Sequence, residues 1–156
     1  MESPCRLQAS AARACQPVLD GGGTGPPPET REETDVKQDK TQLPTRLEAG
    51  GVCIQAEDWS ELNVARIRFP KGADATPLLV GLPQDLCQCP HWGLVLRGSI
   101  HVRYADGNEE VVRAGEVYHW PPGHTVWVDE DYEAVEFSPS GPMGQVIDHL
   151  KSKLTA

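Results

Sequence analysis

Residues 98–123 read GSIHVRYADGNEEVVRAGEVYHWPPG, a sequence in which short β-type runs alternate with regularly spaced glycines. Within it, Asp106-Gly107 is a strong signal for a tight hairpin turn. The glycines recur at intervals of 9, 8 and 8 residues, at Gly98, Gly107, Gly115 and Gly123. Many short strands separated by evenly spaced turns are typical of an antiparallel β-sandwich or barrel.

The same texture of short β-type runs extends outward from this segment in both directions. Further candidate strands cover residues 52–55, 62–69, 78–80, 93–96, 126–128 and 134–137. No helical pattern interrupts these runs, so a parallel sheet built from βαβ units is not expected. We therefore predict one all-β domain over residues 46–141.

The end of the chain carries a helical pattern. Apolar side chains recur there at helical spacing, at Met143, Val146, Ile147, Leu150 and Leu154. We predict a helix over residues 142–156 that either packs on the β-domain or forms a dimer contact. Because exposed sheet edges are also relieved by self-association, we expect a homodimer.

Residues 1–45 differ in composition from the rest of the chain. Residues 21–28 are rich in glycine and proline, and residues 29–40 are strongly charged. All aromatic residues lie at Trp59 or later. A segment with so little apolar surface cannot offset the entropy cost of becoming ordered. We therefore predict a disordered N-terminal tail over residues 1–45.

Charge and apolar patterning argue against several classes of partner. Lysine and arginine number 14 against 23 acidic residues, giving a net charge of −9, which disfavours nucleic acids and anionic membranes. No apolar run approaches the roughly 18 residues that span a bilayer. An odd count of 5 cysteines without a secretory signal argues against a disulfide framework. We expect a cytoplasmic protein.

Candidate metal ligands occur in residues 85–98, DLCQCPHWGLVLRG, and at residue 124, directly after Pro121-Pro122-Gly123. The candidates are Cys87, Cys89, His91 and His124. Thiolate and imidazole ligands favour zinc, with iron or Cu(I) as alternatives, over Mg²⁺ or Ca²⁺. On a straight strand Cys87 and His91 would lie about 13 Å apart, so a shared ion requires a bend, which we place at Pro90. Alternatively, the thiols serve as core packing.

The two stretches that hold these candidates resemble the two sequence motifs of the cupin superfamily. The matching residues are Gly98 in the first motif and Gly115, Pro121 and Gly123 in the second. The family's metal-ligand positions are occupied here by Asp85, Cys87, His91 and Val126. The resemblance covers about residues 60–138 and implies a single jelly-roll β-barrel. The altered ligand set departs from the family's three histidines and one glutamate, which argues against a standard iron or manganese oxygenase site.

Two functions are consistent with this sequence. The first is a small metal-binding cupin that holds a small organic ligand or substrate in the barrel, with zinc or iron on the Cys/His set. The second is a non-catalytic binding or structural cupin whose metal, if any, only stabilises the fold. Fold does not fix function, and no general acid or base is identified, so the sequence leaves open whether the protein is an enzyme.

Overall fold

The computed structural model describes residues 37–155 of the chain. Residues 1–36 of the predicted tail therefore lie outside the described residues. The described part contains nine strands, two α-helices and a short 3₁₀ turn at Pro83–Asp85. Their bounds are β1 Thr45–Ala49, β2 Val52–Trp59, β3 Leu62–Phe69, α1 Thr76–Leu79, β4 His91–Arg97, β5 Ser99–Tyr104, β6 Glu109–Arg113, β7 Val117–Trp120, β8 His124–Trp127, β9 Tyr132–Pro139 and α2 Ser140–Leu154.

The strands form two antiparallel sheets. One has six strands in the order β1-β2-β3-β9-β4-β7, and the other has three in the order β6-β5-β8. The all-β class and the C-terminal helix are thus confirmed. Each sheet consists of its own set of hydrogen-bonded strands. That the two sheets close into a jelly-roll barrel stays a prediction.

Strand β9 lies at the centre of the larger sheet, between β3 and β4. Its side chains alternate between the two faces of the sheet, as the pleat of a strand requires. The buried face carries Tyr132, Ala134, Glu136 and Ser138. Glu136 is thus an ionisable side chain on the core-facing side of a central strand.

One of the predicted strands is wrong. Residues 78–80 were expected to be extended, but Thr76–Leu79 forms the short helix α1. Pro77 lies in its first turn, where a missing backbone N–H is tolerated, and the Asp74 carboxylate accepts a 2.8 Å hydrogen bond from the Thr76 amide. A short apolar run does not distinguish a strand from a buried helical turn.

Helix α2 packs on the β-structure, where it contacts β1, β3 and β9, and it also contacts α1. Its buried side chains are four of the five in the predicted stripe, Met143, Val146, Ile147 and Leu150, whereas Leu154 in the last turn is exposed. Lys151 and Lys153 lie in the last turn, where positive charge interacts favourably with the helix dipole. Within residues 37–155, no helix combines the length and the apolar character needed to cross a membrane.

Candidate metal centre

Three of the four predicted ligands come together in the interior. The Sγ atom of Cys87 and one ring nitrogen each of His91 and His124 all lie within 4.8 Å of one another. Cys87 Sγ is 3.4 Å from His91 Nε2. All three side chains are buried. The sequence thus supplies one thiol and two imidazoles at a single point.

The cluster forms where the chain passes from one sheet to the other. Cys87 bridges to His124 at the start of β8, and its amide donates a 2.8 Å hydrogen bond to the His124 carbonyl. Four residues later, His91 begins β4 and pairs with Trp120 on β7 in the six-stranded sheet. The predicted bend is present, because 3.4 Å separates side-chain atoms that a straight strand would hold about 13 Å apart.

Cys89, the fourth predicted ligand, is not part of this cluster. Its side chain is fully buried, and its Sγ lies 3.4 Å from the Pro90 carbonyl oxygen. Burial raises the pKa of the Cys89 thiol to about 12, which keeps the thiol protonated. In this arrangement Cys89 behaves as a small core side chain.

Each histidine of the cluster has a fixed orientation, because its Nδ1 atom already has a partner. His124 Nδ1 donates to the Pro121 carbonyl oxygen at 2.7 Å. His91 Nδ1 lies 2.7 Å from Ser138 Oγ and 3.1 Å from Glu136 Oε1. With hydrogen on Nδ1, each ring keeps an Nε2 lone pair that can bind a metal.

Glu136 is a residue of the site that the sequence prediction missed. It is buried on β9, accepts a 2.8 Å hydrogen bond from the Tyr118 hydroxyl, and lies beside the His91 ring. Burial raises the pKa of its carboxyl to about 7. The signal in the sequence was a lone acidic residue in phase with Tyr132 and Ala134, which strand alternation places on the core side.

Burial controls the protonation of the three clustered side chains. It lowers the pKa of His91 to about 4, and the pKa of His124 is likewise about 4, lowered by burial and by the neighbouring His91. Burial raises the pKa of Cys87 to about 12. The imidazoles are therefore neutral at pH 7, the form that binds metals, while metal binding must displace the thiol proton.

The spacing of the three donors suits a metal ion. Thiolate and imidazole donors on one tetrahedral zinc ion lie roughly 3.5 Å apart, since Zn–S and Zn–N bonds are about 2.3 and 2.0 Å long. The separation of 3.4 Å between Cys87 Sγ and His91 Nε2 agrees with that value. Small side-chain adjustments would bring the His124 ring nitrogen to the same distance, because all three donor atoms lie within 4.8 Å of one another.

A cavity of about 80 Å³ adjoins the three donors. Most of its lining is apolar, and helix α2 contributes Met143, Val146 and Leu150. Trp120 also lines it, and the buried Trp120 Nε1–H has no acceptor among the described residues. An unpaired buried donor is typical of a place that takes up a ligand or a water molecule.

Replacing Glu136 by glutamine is expected to weaken metal affinity by roughly 10- to 100-fold while leaving the fold intact. The carboxylate lies 3.1 Å from His91 Nδ1, beside the 2.7 Å contact of that atom with Ser138 Oγ, and so helps to hold the ring with Nε2 toward Cys87. Competition with a chromophoric chelator would measure the change. Glu133→Gln is the matched control, because Glu133 lies on the same strand but pairs with Arg66 and Lys40. Equal metal affinity in both variants would contradict the positioning role of Glu136.

No family profile and no curated protein sequence matches the chain. Solved structures are similar. An RmlC-like cupin from Shewanella frigidimarina has 22% identity and a TM-score of 0.50, with 66% of this chain and 89% of that protein covered. A cupin superfamily protein from Desulfitobacterium hafniense has 16% identity and a TM-score of 0.46, covering 62% and 88%. An oxalate decarboxylase from Bacillus subtilis has 19% identity and a TM-score of 0.48, covering 65% and 28%.

The similarity to the Shewanella protein extends over most of that protein. At such low identity the likeness concerns the fold and not the ligand or the reaction. Over the 66% of the chain that this comparison covers, the fold is similar to that of the RmlC-like cupin.

Proposed function

We propose that this protein is a metal-binding cupin that holds one transition-metal ion on Cys87, His91 and His124 and a small molecule in the adjoining cavity. The observation that carries the proposal is the convergence of the three donor atoms within 4.8 Å in the interior. One thiolate and two imidazoles are a ligand set that suits zinc first and iron second. A bound ion would supply Lewis acidity to a molecule in the cavity.

The number of donors supports a site that is open to a ligand. Structural zinc sites are closed by four protein ligands, whereas catalytic sites have three and leave a position for water or substrate. The cluster in residues 37–155 contains three donors, and these same side chains line the cavity. Ser138 and Glu136 hold the His91 ring and the Pro121 carbonyl holds the His124 ring, so the chain itself orients the donors.

Titration of the reduced, metal-free protein with Co²⁺ tests the proposal. Cobalt(II) reports thiolate ligation through an intense near-ultraviolet band and coordination number through its visible spectrum. We expect about one ion per chain, and a visible spectrum that changes when imidazole is added as an extra ligand. A spectrum that does not respond to imidazole would indicate a closed structural site. Failure to take up Zn²⁺, Fe²⁺ or Cu⁺ as well would overturn the metal centre.

We further propose a second copy of the chain as a partner. Four apolar side chains lie exposed together on the outer face of the larger sheet, at Trp92, Leu94, Val117 and Phe137. Strand β7, which carries Val117, is the edge strand of that sheet. A two-fold axis beside this edge would bring the same uncharged surface of two copies into contact.

Val117→Lys is expected to convert the dimer into a monomer, because Val117 is 78% exposed and lies at the sheet edge. A lysine there would place like charges opposite each other across the two-fold axis. Light scattering at several concentrations would measure the molecular mass. Leu62→Lys is the control, since Leu62 is an exposed apolar residue on β3, away from this edge. A wild-type protein that is monomeric throughout would contradict the proposal.

A further inference from the structure

The indole N–H of Trp120 is a buried hydrogen-bond donor that lacks a partner in the described part of the protein. Trp120 lies on β7 and is 3% exposed, and its Nε1 atom has no acceptor among the described residues. The same side chain lines the cavity beside the three metal donors. An unpaired buried N–H costs free energy, so a donor of this kind takes its partner from a bound molecule. The cavity is the place from which that partner can come.

Other polar side chains of the lining already have partners within the protein. Thr125 Oγ1 lies 2.9 Å from Thr76 Oγ1, and the Glu136 carboxylate accepts a 2.8 Å hydrogen bond from the Tyr118 hydroxyl. The Nδ1 atom of each histidine of the cluster is also within hydrogen-bond distance of a partner. The Trp120 indole differs from these groups, because its donor stays available to a molecule in the cavity.

The indole lies next to the proposed position of the metal. The Trp120 ring centroid is 5.6 Å from that of His124 and 6.4 Å from that of His91. A metal–nitrogen bond of about 2.0 Å places the ion at the edge of these two imidazoles, and a hydrogen bond from the indole spans about 2.9 Å. One small molecule can therefore bind the ion with one atom and accept the Trp120 hydrogen with another atom a few bonds away.

The rest of the cavity limits the size and the character of that molecule. A volume of about 80 Å³ holds roughly 5–8 non-hydrogen atoms. Most of the lining is apolar, with Met143, Val146 and Leu150 on α2 and Ile54 and Ile67 on the larger sheet. A water molecule here would have mainly apolar neighbours, although ordered water needs several polar partners. A molecule with an acceptor atom on a small apolar body matches this lining better than water does.

We propose that Trp120 recognises the small molecule held in this cavity, by donating its Nε1 hydrogen to an acceptor atom of that molecule. A second lone-pair atom, a few bonds away, binds the metal. The substrate or ligand class is therefore small compounds that carry two neighbouring oxygen or nitrogen acceptors on a mostly apolar body. This role rests on the proposed metal centre and adds a specificity-determining residue to it.

Three aromatic rings of the same size test this role by NMR in the Zn²⁺-loaded, ¹⁵N-labelled protein. Pyridine has one ring nitrogen, which binds the ion, whereas pyridazine and pyrimidine each carry a second nitrogen as an acceptor. The chain contains 4 tryptophans, and the indole N–H signal that is missing in Trp120→Phe is that of Trp120. We expect this signal to move downfield with at least one of the two diazines and not with pyridine, which controls for the ring current of the probe. Equal shifts with all three rings, or no shift with any, would overturn the role of Trp120.

Affinities of the same rings for the Co²⁺-loaded protein provide a second measurement. Trp120→Phe removes the donor and keeps an aromatic ring, so affinity for the diazine that shifts the indole signal should fall about tenfold relative to pyridine. Trp59→Phe is the matched control and should leave this ratio unchanged, because Trp59 is exposed and does not line the cavity.

The outcomes distinguish the recognition role from the metal centre on which it rests. An unchanged ratio in Trp120→Phe contradicts the role of Trp120, and so does a metal-loaded protein that binds none of the three rings. A wild-type protein that takes up neither Zn²⁺ nor Co²⁺ refutes the metal centre instead. Because the NMR shifts are measured in the wild-type protein, they decide the role of Trp120 even if the variant is unstable.

Discussion

A Cys87→Ser variant is expected to lose metal affinity by roughly 100-fold or more. Cys87 supplies the sulfur donor of the cluster, 3.4 Å from His91 Nε2. A serine hydroxyl is a poor ligand for zinc because it does not ionise readily at neutral pH. Elemental analysis of the purified protein and chelator competition would measure the change. The fold should survive, because serine is close to cysteine in size.

Cys89→Ser is the matched control, since Cys89 lies two residues away, is equally buried, and is outside the cluster. It should retain the metal. Cys5→Ser, in the N-terminal segment, controls for non-specific binding of metal to thiols. Loss of metal in the Cys89 variant would show that the four-ligand set expected from the sequence is correct and that the three-donor site is incomplete. Undiminished metal content in Cys87→Ser would refute the site.

Gly98→Ala is expected to destabilise the fold by about 3–5 kcal/mol. Gly98 has a φ of +73°, a conformation that costs alanine about 1 kcal/mol or more. A Cβ atom at this position would also overlap the backbone carbonyl oxygen of Asp131, which cannot swing aside as a side chain can. Urea denaturation of the metal-free protein would measure the free energy of unfolding.

Gly107→Ala separates the two contributions to that cost. Gly107 has a similar φ of +86°, but a Cβ atom there meets nothing within 4 Å. We therefore expect a loss of only about 1 kcal/mol from backbone strain. If both variants lost the same free energy of unfolding, the close packing of Gly98 against the loop before β9 would not explain the loss in Gly98→Ala.

The overall class of the fold was accessible from local sequence signals. Gly98, Gly107, Gly115 and Gly123 all have positive φ, as tight turns between short strands require. The apolar stripe from Met143 to Leu150 is the buried face of α2. Both signals are local, since they depend on the conformation of a turn or on the period of one element. The short run at 78–80 was misread because it is too brief to show a period.

The composition of the site depended on contacts between residues distant in the chain. The sequence by itself determined that thiols and imidazoles occur at Cys87, Cys89, His91 and His124, and that a bend was needed at Pro90. Only the tertiary structure decided that Cys87 pairs with β8 while His91 begins β4, so that these two meet His124 and Cys89 packs in the core. It also brought Glu136 of β9 beside His91, although the two residues are 45 positions apart in the chain. The physical reason is that strand alternation fixes which face a side chain occupies, whereas the pairing of sheets fixes which faces meet.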